Sequence, residues 1–293
     1  MPKSGVPKNI FLANAARSFV EATTTESAEH IKPLHRYLAM RFVIEGGFDP
    51  ASVMPRPPLV GTFKEGKWWL SFEPHSVDEE KEQVVLGALK SKRIDVVLAK
   101  SGIGPVLAVS VKGTSRAFRN LVNRTEEAIG DCANIHIMYP GLVYGFVHFL
   151  KATDPGGKGL KPNDVSLDDA GEAAPAIKSY ARVLEGLTGR RLVRNDYARY
   201  EAVGLALFRP GASEAQGPLS RTFPTAGNPL NLDMFFSALY QVYDLRYPYT
   251  YTDPSLRGLT RIAWEPESPT ILALGGKGSL SQALGYSARI SGL

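Results

Sequence analysis

Apolar positions along the chain fall into two patterns, and their order predicts a mixed α/β architecture. From Glu26 to Ile44, the residues Ala28, Ile31, Leu34, Leu38, Met40 and Phe42 recur at helical spacing, and Gly46-Gly47 ends the run. Pro33 marks a kink or a new first turn within it. Residues 1–25 begin as a polar tail and become helical, and Pro55-Arg56-Pro57-Pro58 reads as an extended connector. Lys67–Glu73 predicts a strand and Val77–Lys90 a helix. Arg93–Ala99 and Pro105–Lys112 are β-branched strands joined by the turn Lys100-Ser101-Gly102-Ile103-Gly104. Ala117–Asp131 predicts a helix, and Asn134–Met138 and Leu142–Leu150 predict strands. After a Gly/Asp/Pro-rich loop over residues 152–172 come a helix at Ala173–Leu187, a buried strand at Glu201–Phe208 and a helix at Asp233–Tyr243. The order strand, strand, helix, strand implies a mixed sheet flanked by helices. No repeat or Gly/Ser linker divides the chain, which predicts one domain over 1–293 with a core at about 67–210.

Composition narrows this picture only a little. A formal charge of +5 makes an anionic partner plausible, but 29 acidic residues against 34 basic ones confine any basic surface to a local patch. The single cysteine, Cys132, excludes an internal disulfide and a cysteine-based zinc site, and suits a reducing cytoplasm. No apolar run approaches the roughly 20 residues of a membrane span, and MPKSGVPKNIF lacks the apolar stretch of a signal peptide, so a cytoplasmic location is expected.

The candidate chemistry lies between Arg93 and Glu127. Asp95 sits within Arg-Ile-Asp-Val-Val-Leu, and Lys112 closes Leu-Ala-Val-Ser-Val-Lys. Side chains alternate along a strand, so Ser110 and Lys112 share a face while Val109 and Val111 point the other way. If the two strands pair through their short connection, Asp95 faces the same cleft. In the following helix Phe118, Leu121, Val122, Thr125 and Ile129 form a stripe expected to pack on the sheet, while Arg119, Asn123 and Glu126 share a polar face. Asp95 and Glu126 would then converge as oxygen ligands for Mg²⁺, which uses one or two protein carboxylates together with substrate phosphate. Glu127 takes the place of Glu126 if the helix phase shifts by one residue.

The pattern Asp95 … Ser110-Val111-Lys112 followed by Arg124-Thr125-Glu126 resembles the PD-(D/E)XK nucleases. Within them it is similar to type II restriction endonucleases that recognise CCGG-containing sites, where Ser-x-Lys replaces the usual acid and a glutamate of an Arg-Thr-Glu triplet supplies it. The resemblance covers about residues 67–150. It implies a restriction-endonuclease-like fold, Mg²⁺ bound by Asp95, Glu126 and the Val111 carbonyl, Lys112 positioning the attacking water, and Ser110 hydrogen-bonding in the site. It also implies a further metal-side glutamate on an N-terminal helix, for which Glu29 and Glu26 both stand as candidates. Arg116 and Arg119 match two positions of an Arg-x-Asp-Arg element that reads bases, with Phe118 where the aspartate belongs; Arg124 is a further DNA-binding candidate. The implied partner is double-stranded DNA, cut by a homodimer or homotetramer. The alternatives are a low-specificity effector nuclease of another defence system and a DNA-binding module with a decayed site.

His136 and His148 read as core histidines in apolar strands. Trp68-Trp69 and the Tyr247–Tyr251 run read as packing, and Gly156-Gly157-Lys158-Gly159 as a turn lacking the spacing of a phosphate loop.

Overall fold

A computed structural model describes residues 5–22, 28–73, 83–157, 159–193, 196–209, 222–248, 259–276 and 278–292. The mixed α/β architecture centres on a five-stranded sheet. It comprises β1 (Val53–Met54), β6 (Val96–Lys100), β7 (Gly104–Thr114), β8 (Val143–Lys151) and β9 (Ala202–Phe208), in that spatial order. β1, β6 and β7 pair antiparallel, whereas β7, β8 and β9 run parallel. Two small hairpins stand beside it: β2 (Leu59–Lys64) with β3 (Lys67–Phe72), and β4 (Gln83–Val85) with β5 (Lys92–Ile94).

Both faces of the parallel strands are covered, which is why they are nearly continuous in apolar residues. On one face Val109, Val111, Val147, Phe149, Ala206 and Phe208 pack against α1 (Leu12–Glu21), α2 (Lys32–Ile44) and α5 (Leu232–Arg246). On the other, Ala108, Phe146, Leu150, Leu205 and Leu207 pack against α3 (Leu121–Met138) and α4 (Pro175–Leu187), the helices of the two parallel crossovers. Gly145 lets α5 lie close to β8, because a Cβ there would stand 2.9 Å from Phe235 Cζ. Arg41 ties α2 to α5, bonding Glu45 at 2.7 Å and Asp233 at 2.8 Å beneath the ring of Phe236. Two short C-terminal helices, α6 (Pro269–Ala273) and α7 (Leu280–Leu284), complete the described chain.

Several sequence expectations need correction. Asn134–Met138 is the last part of α3 and not a strand: Ile135 continues the inward positions Ala128 and Cys132 at helical spacing. Asn134 folds the β4–β5 turn onto the helix, its Oδ1 accepting from Leu89 N at 2.7 Å and its Nδ2 donating to Lys90 O at 2.9 Å. The described part of Val77–Lys90 is strand and turn and not helix, with residues 77–82 outside the described residues. The run 93–99 is broken at Asp95 into two strands serving different sheets. Of the two readings of Pro33, the structure has the new first turn, that of α2. His136 lies on α3, fully buried, with Nε2 3.2 Å from Glu201 Oε2. Among the described residues no helix is long and apolar enough to cross a membrane.

Candidate active site

Asp95 occupies the break between β5 and β6. Val96 pairs with Val109, so the antiparallel register leaves Asp95 beside the β7 segment that begins at Ser110. Its Oδ2 accepts the Val111 N–H at 2.6 Å, replacing a ladder bond with a carboxylate. The carboxylate is mostly enclosed, and burial pushes its pKa up to about 6 even though the Val111 N–H and the charges of Lys112 and Lys92 pull it down. The other oxygen, Oδ1, lies 3.7 Å from Nε2 of His35, on α2.

Ser110 and Lys112 share the α3 face of β7, following the alternation of the strand. Ser110 is buried and bonds the Tyr144 hydroxyl at 2.7 Å. Lys112, two residues nearer the strand's C-terminal end, reaches a partly open position, where its Nζ donates to Glu127 Oε1 at 3.0 Å.

Glu127, and not Glu126, is therefore the acid that α3 brings to Lys112. A 3-10 turn over Phe118–Asn120 precedes α3 and sets its phase. The inward stripe is Leu121, Thr125, Ala128, Cys132 and Ile135, leaving Val122 65% exposed and Glu126 facing solvent. Arg124 closes the cluster by donating to Glu127 Oε2 at 3.1 Å. Burial acts to raise the Glu127 pKa, but its bonds to Lys112 and Arg124 outweigh this and hold it below the usual carboxylate value.

Beyond Lys112 the strand opens into a cleft of about 440 Å³ lined by Thr114, Ser115, Arg116, Asn120 and Arg124. Its floor is tied to the core through His148, whose Nε2 bonds Thr114 Oγ1 at 2.8 Å and whose Nδ1 bonds the Tyr180 hydroxyl at 2.6 Å. Burial, reinforced by Arg124 and Lys112, pushes the His148 pKa down to about 3, so this ring is neutral. At the opposite end of β8, Glu201 is fully buried, accepts hydrogen bonds from Arg190 at 2.6 Å and the Tyr144 N–H at 2.7 Å, and forms an ion pair with Arg246. That cluster anchors the strands whose other ends carry the site.

No protein family, curated protein or solved structure matches this chain. The site is accordingly judged on its own geometry.

Asp95 meets the Val111 backbone within reach of the Lys112 charge, Ser110 turns instead to Tyr144, and Arg116 and Arg124 line the cleft beyond Lys112. Glu29 does not join them: its side chain is 70% exposed and pairs with Lys32 at 2.6 Å. Glu26 and the Arg119 side chain lie outside the described residues. Phe118 is buried in the α3–α4 core, so it packs rather than reads. Sequence reasoning missed His35, which reaches Asp95 only through tertiary packing, and Lys92, close to Asp95 in the chain. Among the described residues no group of three or more His, Cys, Asp or Glu side chains is placed to hold a metal. Mg²⁺ makes modest demands on protein side chains, keeping several waters and taking one or two carboxylates together with substrate phosphate. A desolvated Asp95 beside the Val111 backbone fits that sparse requirement.

Proposed function

We propose that the chain is a Mg²⁺-dependent endonuclease that hydrolyses phosphodiester bonds in double-stranded DNA. The observation that carries this reading is the pairing of Asp95 with Val111, the residue between Ser110 and Lys112, on a strand whose next residues, Gly113 and Thr114, line a cleft bordered by Arg116 and Arg124. Asp95 and the Val111 carbonyl would hold the ion. Bound Mg²⁺ supplies charge that activates water and stabilises the leaving oxygen.

The remaining roles belong to the chain's own side chains. Lys112 would orient the attacking water and offset the negative charge growing on the phosphate. Glu127 holds the Lys112 ammonium in place, and a DNA phosphate competes with Glu127 for Arg124 and Lys112 as the substrate docks. Ser110 fixes the strand through Tyr144 and touches neither Lys112 nor Asp95 by hydrogen bond among the described contacts. Arg116 and Arg124 lie where a phosphate backbone or the guanine edge of the major groove can be met.

Two forms of this activity are distinguished by their products. A site-specific restriction endonuclease acts as a symmetric assembly on a palindromic site and leaves a fixed sequence at every end. The burial of Phe118, which removes the position of a cytosine-reading acid, favours a nuclease with little sequence preference. Digestion of plasmid and phage DNA with Mg²⁺, followed by sequencing of the ends, separates them. Scattered ends identify the low-specificity effector, a fixed motif identifies restriction, and uncut DNA across Mg²⁺ and Mn²⁺ contradicts the nuclease reading.

A further inference from the structure

The cleft beyond Lys112 depends on one unusual backbone conformation. Ala117, between β7 and the 3-10 turn over Phe118–Asn120, has φ 56° and ψ 47°, in the left-handed region. A Cβ disfavours that region, which glycine enters freely. The turn made there brings Arg116, on the strand side, and Asn120 and Arg124, on the helix side, to the lining of one cleft. Asn120 and Arg124 stand one helical turn apart, and the Ala117 carbonyl accepts the Asn120 N–H at 3.0 Å.

The group that stabilises Ala117 comes from a distant part of the chain. Its N–H donates to Asp164 Oδ1 at 2.8 Å, across 47 residues of sequence. Asp164 is half-buried in the loop after β8, where its Oδ2 accepts the Lys161 N–H at 3.2 Å. The loop is itself fastened to the sheet. Thr153 Oγ1 donates to the Asp164 carbonyl at 2.6 Å, and Ser166 Oγ donates to the Lys151 carbonyl, at the end of β8, at 2.9 Å. The Ala117 and Lys161 N–H groups, aided by the Arg116 charge, hold the Asp164 carboxyl below the usual carboxylate value. The acceptor therefore stays ionised, and its bond to Ala117 is charge-assisted.

Backbone strain persists only where the surroundings enforce it. We propose that Asp164 is a positioning residue for the cleft: its carboxylate holds Ala117 left-handed and so sets Arg116 together with Asn120 and Arg124 as a clamp on the phosphate backbone. The inference rests on the reading of this cleft as the DNA-binding face of a nuclease. An acid here has two conceivable effects of opposite sign. As a bare charge it repels phosphate, so that its removal tightens binding; as a positioning group, its removal weakens binding.

The test is fluorescence anisotropy of a labelled DNA duplex with the full chain in EDTA, which reads binding without cleavage, with thermal melts confirming that each variant is folded. Asp164→Ala is expected to bind about 10-fold more weakly, the scale of one strained conformation no longer enforced. Adding Ala117→Gly should recover affinity to within about 3-fold of wild type, because glycine adopts the left-handed turn without the carboxylate. Loss of loop packing alone would not be repaired by that second change. Hydrogen exchange over residues 116–124, without DNA, should rise in Asp164→Ala and fall again in the double variant. If Asp164→Ala does not fold, Asp164→Asn carries the same comparisons, its neutral amide being the weaker acceptor. Unchanged or tighter binding in the folded variant, or weaker binding that Ala117→Gly leaves unrepaired, overturns the proposal, while cleavage by the wild type keeps the nuclease reading. A wild type that binds no duplex removes that reading, and the exchange comparison then decides the positioning role alone. A rise that Ala117→Gly reverses upholds it, and any other pattern overturns it.

Discussion

Lys112 Nζ donates to Glu127 Oε1 at 3.0 Å, joining the last inward side chain of the β7 site to the second turn of α3. The neighbouring Glu126 points to solvent. The site's acid is thus chosen by helix phase, and the two glutamates should respond differently to substitution. Glu127→Gln is expected to lower DNA cleavage by about 100-fold or more, the scale of losing a charged group at a reacting phosphate. Glu126→Gln should stay within a few-fold of wild type, and initial-rate assays compare the two. The reverse order of effects would mean that α3 turns by one residue when DNA binds.

Ser110 and Tyr144 share a buried hydrogen bond of 2.7 Å. Ser110→Ala or Tyr144→Phe strands one hydroxyl and should cost about 1–3 kcal/mol of stability. The double variant should cost less than the sum of the singles by about 1 kcal/mol, as measured by urea denaturation. Strict additivity would show that the bond contributes nothing of its own.

His148 supplies a pH dependence of stability. Its pKa is about 3 in the folded chain and near 6.5 when exposed, so the unfolded state binds the proton first as pH falls. Its contribution is complete above pH 6.5 and is lost as pH falls toward 3. Over that window the wild type should lose up to about 1.4 kcal/mol per pH unit more than His148→Gln. Equal slopes in the two proteins would contradict a buried neutral ring.

Glu201 carries no exposed surface and receives Arg190, Arg246, His136 and the Tyr144 N–H. Glu201→Gln leaves two buried guanidinium groups without their carboxylate, and a loss of about 3–5 kcal/mol is expected in denaturant melts. A loss below about 1 kcal/mol, typical of an exposed pair, would refute the anchoring role.

How much of the fold and site was legible in the sequence depended on the range of the signal. Alternation along β7 depends only on adjacent residues, so Ser110 and Lys112 could be placed on one face and Val109 and Val111 on the other. Helix phase was harder to read, because the turn over Phe118–Asn120 shifts where α3 begins and puts the apolar Val122 outside. The isoleucine-containing run Asn134–Met138 imitated a strand, and its tertiary setting, with Ile135 inward and Asn134 bonded to the β4–β5 turn, overrode that local preference. The meeting of Asp95 with His35 joins residues far apart in the chain and leaves no local trace at all. A histidine among apolar residues on a helix reads as core until its neighbour across the fold is known.

Joint action of Asp95 and Lys112 on a phosphodiester is the central claim. The most direct measurement is Mg²⁺-dependent cleavage of supercoiled plasmid by the wild type, Asp95→Ala and Lys112→Ala, with thermal melts confirming that each variant is folded. Nicked or linear product from the wild type alone, with both folded variants inactive, is the predicted result. Robust cleavage by both variants would contradict it.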